Sequence, residues 1–275
     1  MSSHGRPELT PAQVIQPLSG TEESVWVSWQ GAKDLPVVTP HLLAAGRPVV
    51  VLAAHPDDEV LGVGGLLSSL GALGTDVRLI WATDGEASHP GSTVDLAQPA
   101  RLASVRREES AAALAALGLA DAPRTHLGLP DGAVASHEDR LAEQLAELVP
   151  SGALVLAPWS GDAHPDHEAC GRAARQAVGN AAPVNEQIPG QVVEYPIWTW
   201  HWATPDDVRV PWELARRVEL DDTARQRKAT AIDCFVSQVI ALGPAHEDGP
   251  VLPDGVLAHF RRTYEVLLVT SGAHR

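Results

Sequence analysis

Val49-Val50-Val51-Leu52-Ala53-Ala54-His55-Pro56-Asp57-Asp58-Glu59 runs from an unbroken apolar segment straight into an imidazole, a proline and three carboxylates. A short β-branched run without polar alternation suits a strand buried on both faces. Pro56 fits the first turn of a helix, where its missing N–H costs nothing. The acids that follow sit at the positive end of the helix dipole. Apolar residues then resume at Val60, Leu61, Leu66, Leu67 and Leu70. Charged groups crowded at the tip of a buried strand are costly unless a cation or a reaction uses them.

Working outward, the same alternation repeats. A helix is expected over about 58–73, then a second buried strand over Val77 to Ala82, ending at Thr83-Asp84-Gly85-Glu86. After a loop of small and polar residues (Ala87 to Gln98), Leu102 to Leu117 reads as a long helix. A short strand over Arg124 to Leu127 leads to the turn Gly128-Leu129-Pro130-Asp131-Gly132, and a helix over 137–148 follows. Ala153 to Ala157 is the next strand, and it opens onto His164-Pro165-Asp166-His167 and a helix over about 166–178. Gln191 to Tyr195, Arg217 to Leu220 and Thr263 to Val269 read as further strands, with a helix near 222–236. Strands alternating with helices imply an α/β fold: a mostly parallel sheet with helices on both faces. Near the N-terminus, Val25-Trp26-Val27-Ser28-Trp29 alternates loosely, like an edge strand. The length of 275 residues suits one domain with extensions.

Composition narrows the partners. A formal net charge of −15 argues against nucleic acid and against an anionic membrane surface. No basic region followed by an apolar core opens the chain, and no run approaches the length of a membrane span. Two cysteines, Cys170 and Cys234, make neither a disulfide framework nor a CxxC pair, and read as small buried apolar residues. These features lead to the expectation of a soluble cytoplasmic protein; a homo-oligomer is left open.

The chemistry lies in two motifs, HPDDE and HPDH, each following a buried strand and opening a helix. A single HPD is usually only a helix start with a capping acid. Two of them at the ends of neighbouring strands would face one another at the switch point of an open sheet. His55, Asp58 and His167 would then offer two imidazoles and a carboxylate, leaving one position of a tetrahedral zinc open, as catalytic sites require. Asp57 and Asp58 cannot both ligate easily, because neighbours on a helical turn point about 100° apart. His164 and His167 share a helix face, so one can bind metal while the other meets substrate. Val63-Gly64-Gly65 reads as close helix packing, since the acidic cluster beside it would repel a pyrophosphate.

These motifs, with TDGE at 83–86, Arg106-x-x-Glu109 and the turn from Leu127 to Gly132, resemble the PIG-L/LmbE-like family of zinc-dependent de-N-acetylases. The resemblance covers roughly residues 48–240; residues 1–45 stand as an N-terminal extension and the C-terminal region follows. It implies a Rossmann-like fold and hydrolysis of an N-acetyl group on an amino sugar or glycosylated small molecule, with one zinc per chain. It also implies that His55, Asp58 and His167 are the metal ligands, Asp57 the general base and His164 the oxyanion-stabilising or proton-donating residue, oriented by Asp166. In that scheme zinc acts as Lewis acid, Asp57 takes a proton from water and a protonated His164 steadies the oxyanion.

Substrate contacts are expected from Arg106, Asp131 and Trp159, which flank core strands. Trp198, Trp200 and Trp202 sit at alternate positions, which in an extended segment would form one aromatic face. An equally ordinary reading of that segment is packing or an oligomer contact. Two other functions share these residues: an amidase for a thiol conjugate or natural product, and a non-catalytic sugar-binding module. The module has no use for Asp57 beside a ligand.

Overall fold

The structure, a computed structural model, describes residues 20–180 and 190–269. Its sheet comprises β1 (Val49–Ala53), β2 (Val77–Trp81), β3 (Arg124–His126), β4 (Leu154–Pro158), β5 (Gln191–Tyr195), β6 (Ala215–Glu219) and β7 (Tyr264–Val269). The order across the sheet is β3-β2-β1-β4-β5-β7-β6. The first five pair in parallel, and β7 runs antiparallel to both β5 and β6. The long helices are α1 (Asp58–Ala72), α2 (Pro99–Ala116), α3 (Glu138–Leu148), α4 (Pro165–Asn180) and α5 (Asp222–Ile232). Each expected core strand and long helix is present, with ends moved by a few residues.

β1 explains why a strand without polar alternation is stable. Every residue of it is buried. Val49, Val51 and Ala53 face a core shared with Leu66 and Leu70 of α1, Leu114 of α2 and Ala231 of α5. Val50, Leu52 and Ala54 face a second core, with Leu141 and Leu145 of α3 and Ala169 and Ala173 of α4. A strand covered on both sides has no solvent face on which to place a polar residue.

The topology positions the site. From β1 the chain moves outward through β2 and β3, then returns to the other side of β1 to lay down β4. β1 and β4 are hydrogen-bonded neighbours, with Val49 opposite Leu154 and Val51 opposite Leu156. Their C-terminal ends form the switch point, and both histidine motifs emerge there.

Two expectations fail. Residues 25–29 do not form a strand; Glu23–Ser28 is a short helix. Trp26 and Trp29, three apart, are buried, whereas Val25 and Val27 are exposed, which is a helical pattern. The indoles of Trp26, Trp29, Trp200 and Trp212 pack with centroids 4.6–6.1 Å apart in five pairs. Nor do Trp198, Trp200 and Trp202 share a face: Thr199–Trp202 is a helical turn, so the rings diverge. Trp200 joins the cluster with Trp26, Trp202 stacks on Trp159, and only Trp198 reaches the cavity beside the histidines.

The glycines of α1 do serve close packing. A Cβ on Gly65 would stand 2.5 Å from Leu220. The helix is also broken at Val63 (φ −137°, ψ 15°). The N–H groups of Gly65 and Leu66, freed by that break, donate to the buried Glu265 at 2.7 and 2.8 Å. Lys228 Nζ donates to the same carboxylate and to the Leu61 carbonyl, both at 2.7 Å. Among the described residues no helix is long and apolar enough to cross a membrane. Cys170 is buried as expected, and Cys234 is partly exposed.

Candidate metal centre and active site

His55 leaves the end of β1, and its backbone N–H donates to Asp58 Oδ2 at 2.9 Å. Asp57, between them in the turn, adopts φ 129°, a conformation costly for any residue but glycine. Such strain, about 1–3 kcal/mol, persists only where surrounding contacts impose it. Here Arg106 of α2 imposes it, donating to the Pro56 carbonyl and, at 3.0 Å, to Asp57 Oδ2. Arg106 also holds the Gly85 carbonyl at 2.8 Å. Gly85 has φ +66°, and a Cβ there would fall 2.1 Å from the guanidinium, so the TDGE turn needs its glycine.

His167, on the first turn of α4, comes to face this turn across the switch point. Its Nε2 lies 3.4 Å from Asp58 Oδ1, and His55 Nδ1 lies 3.5 Å from Asp58 Oδ2. His164 completes a three-imidazole group with His55 and His167, whose ligating atoms all lie within 4.8 Å of one another. A second such group joins His55 with Asp131 and Asp166. The three residues expected as ligands are thus together, with His164 beside them.

The donor set suits a cation. His167 is fully buried, and its Nδ1 meets Asp162 Oδ2 at 2.8 Å. An ionised carboxylate only accepts, so Nδ1 carries a proton, and Nε2 is the nitrogen that would offer its lone pair to a metal. That buried Nε2 has no hydrogen-bond partner. A buried ring nitrogen without a hydrogen-bond partner, 3.4 Å from a carboxylate, is a group that a positive ion between the two would satisfy.

Charge is unevenly distributed over the acids. Burial pushes the Asp57 carboxyl up to about 7, against the pull of Arg106 and with the help of the Asp58 charge. Burial likewise raises Glu59 to about 8. Burial acts on Asp58 too, but the imidazoles of His167 and His55 outweigh it and hold that carboxyl well below the usual range. His164 is held well below its ordinary value by burial and then by the two neighbouring imidazoles, so it is neutral in this arrangement rather than protonated.

Several expected roles change. Asp166 does not orient His164 through its side chain. Its oxygens accept the N–H groups of Gly132 and Val134 at 2.7 and 3.0 Å, and Oδ2 lies 3.3 Å from His55 Nε2. The link to His164 runs through the backbone: Asp166 N–H donates to His164 Nδ1 at 3.3 Å. Arg106 lines the cavity, but its guanidinium is committed to Asp57 and two carbonyls. Trp159 is packed in the core against Trp202, and Trp198 forms the aromatic wall in its place. Asp131 lines the cavity, with Oδ1 3.1 Å from His55 Nε2.

Sequence reading missed Asp162 and Gln238. Asp162 is fully buried and accepts the N–H groups of Ile197, Trp198 and Thr199 at 2.9–3.1 Å as well as His167. A ligand histidine commonly has such a carboxylate, so Asp162, shortly before HPDH, was open to inference. Gln238 had no signal in the sequence. The cavity it lines has a volume of about 470 Å³. Leu61, Ile197, Trp198, Val251 and Leu252 form the apolar side of that cavity. Gln238 Nε2 donates to Ser237 Oγ at 2.9 Å, while Ser237 Oγ donates to Glu109 at 2.7 Å. That order fixes the amide, and its buried Oε1 has no partner.

The family pattern described as PIG-L, GlcNAc-PI de-N-acetylase, matches residues 50–178, the span from β1 to α4 that carries both histidine motifs. Over that span the chain is similar to the PIG-L family. Among similar proteins, a 1D-myo-inositol 2-acetamido-2-deoxy-alpha-D-glucopyranoside deacetylase of Kineococcus radiotolerans is 28% identical, over 76% of this chain and 62% of its own. The enzyme of that name from Mycolicibacterium gilvum is 34% identical, over 62% of this chain and 63% of its own. The chain spans 62% of the Kineococcus relative and 50% of the relative from Corynebacterium glutamicum. Among solved structures, a conserved protein from Thermus thermophilus shares 28% identity with a TM-score of 0.57, covering 83% of this chain and 96% of that one. The N,N'-diacetylchitobiose deacetylase of Pyrococcus horikoshii shares the fold at a TM-score of 0.53 and 21% identity, covering 78% of each chain.

Proposed function

We propose that this chain is a metal-dependent N-deacetylase, hydrolysing the acetamide of an amino sugar within a small glycosylated molecule. The observation that carries the reading is the orphaned Nε2 of His167 facing Asp58 and His55, with the strained Asp57 alongside. The names of similar proteins support the acetamido sugar as substrate class.

His55, Asp58 and His167 would hold the metal, and zinc suits two imidazoles and a carboxylate. When bound, the metal would polarise the amide carbonyl and make water acidic enough to attack near neutral pH. Arg106 keeps Asp57 Oδ2, leaving Oδ1 to take the proton from the attacking water. His164, its ring centroid 5.0 Å from that of His55, would turn its Nε2–H to the carbonyl oxygen as that oxygen gains charge, since its Nδ1 accepts the Asp166 N–H. The carbon–nitrogen bond then breaks, and the proton held by Asp57 passes to the departing amine. Water is consumed, and acetate and a free amine are released.

The apolar side of the cavity favours a conjugate with an apolar part over a bare amino sugar, and so keeps the natural-product amide as a second reading. The test is acetate release from N-acetylglucosamine, its aryl glycosides and a simple N-acetyl amine, with zinc-loaded and chelator-treated protein. Release from the glycosides that ceases on chelation is expected. No release from any acetamide by zinc-loaded protein would remove the deacetylase reading.

A further inference from the structure

We infer that Asp131 is a positioning residue of the metal site, its carboxylate set against Nε2 of His55 so that Nδ1 is presented beside Asp58 and His167. The inference rests on the metal-dependent reading above.

His55 has one ring nitrogen on each side of the problem. Nδ1 faces Asp58 at 3.5 Å. Nε2 faces Asp131 Oδ1 at 3.1 Å and Asp166 Oδ2 at 3.3 Å. Two carboxylates can only accept, so the proton belongs on Nε2 and the lone pair for a cation on Nδ1. A ring free to rotate or to change tautomer would offer that lone pair only part of the time.

Asp166 Oδ2 takes the hydrogen bond from Nε2, while Asp131 Oδ1 comes closer as an ion-pair contact on the same nitrogen. Asp166 Oδ2 is shared with the Gly132 N–H at 2.7 Å, the shorter contact. Asp131 turns Oδ1 to His55 and uses Oδ2 for the Ala87 N–H at 2.8 Å. The Asp131 N–H in turn donates to Glu86 Oε1 at 3.0 Å. The TDGE turn after β2 and the turn after β3 therefore clamp each other, each giving a side chain to the other's backbone. That clamp fixes the Asp131 carboxylate against His55 from outside the ligand set. His167 has the same arrangement, with Asp162 on its Nδ1 at 2.8 Å. Each imidazole of the set thus has a carboxylate behind it, the pattern that fixes ring orientation and strengthens a histidine ligand.

The sequence suggested a substrate hydroxyl as the partner of Asp131. Both roles predict lost activity when Asp131 is replaced, but only one predicts lost metal affinity without substrate. Metal-free wild type, D131A, D131N, E86A and H55A would be titrated with zinc in competition with a chromogenic chelator. Melting of the metal-free proteins would be followed in parallel. D131A should bind zinc about 10–100-fold more weakly than wild type, the usual effect of removing such a partner. D131N should lose less, because its amide oxygen still stands against Nε2, and E86A should show a smaller drop in the same direction. D131N and E86A carry the test if D131A does not fold. Zinc affinity unchanged in D131A and D131N, or lowered only where the metal-free melting temperature falls with it, would overturn the inference. If wild type binds no zinc, or H55A binds it as well, the metal-dependent reading fails instead.

Discussion

Removing the Asp162 carboxylate should destabilise the metal-free protein by about 3–5 kcal/mol, the range for breaking a buried charged pair. The magnitude follows from what Asp162 holds. It is fully buried and accepts the N–H groups of Ile197 at 3.1 Å, Trp198 at 2.9 Å and Thr199 at 2.9 Å, the Thr199 hydroxyl, and His167 Nδ1 at 2.8 Å. Each stranded buried donor costs about 1–3 kcal/mol, so three amides alone set a range of about 3–9 kcal/mol. Water entering the space left by an alanine brings the expectation to the lower half of that range. The assay is urea unfolding of metal-free wild type and Asp162→Ala, which keeps metal binding out of the comparison. With a slope of about 3 kcal/mol per molar urea for a chain of this size, the midpoint should fall by about 1–1.7 M. Asp162→Asn, which keeps an acceptor, should lose less. A midpoint within about 0.3 M of wild type for Asp162→Ala would refute the claim that this one carboxylate fastens the wall at 197–199 to the histidine.

Three further outcomes follow from other parts of the molecule. Glu265→Ala strands the Lys228 cation and two amides of α1, and should cost about 3–5 kcal/mol in urea unfolding; adding Lys228→Met should restore part of it, because the unpaired charge goes. Asp84, bound by His126 and Arg107, has its carboxyl held down at about 2 from 3.8 despite its burial. The unfolded chain therefore takes up the proton first as pH falls, so the stability Asp84 contributes is complete above the unfolded value and is lost on acidification toward the folded one. Asp84→Asn should flatten that part of the acid-unfolding profile. Gln238→Leu removes the unpartnered acceptor on the cavity wall, and should raise the Michaelis constant about fivefold, one hydrogen bond of about 1 kcal/mol, with metal content unchanged.

The sheet was legible because its central strands β1 and β4 are buried on both faces and the helices that follow them open at histidine motifs. The unbroken run from Val49 to Ala54 has one physical explanation, and β1 and β4 stand where it requires. The convergence of His55, Asp58 and His167 was legible for the same reason: strand ends at a switch point converge. What failed depended on three-dimensional partners. The segment from Val25 to Trp29 alternates enough to mimic a strand, yet tertiary packing of Trp26 and Trp29 against Trp200 and Trp212 makes it helical. Arg106 looked like a polar group available to substrate, because nothing in the sequence places it against Asp57 and the Gly85 turn. Asp166 looked like a partner for His164 by adjacency, but α4 turns its side chain toward Gly132 and Val134 instead. Gln238 reaches the cavity only because Ser237 is anchored to Glu109, 128 positions away.

The central claim is that Asp57 acts as base beside a metal it does not hold. Its most direct test is acetate release by Asp57→Asn, with metal content determined on the same preparation. The amide keeps the shape but cannot take a proton, so metal should remain at the wild-type level while turnover falls by about 10²–10⁴-fold. Wild-type turnover in Asp57→Asn, or loss of the metal along with the activity, would contradict the assignment.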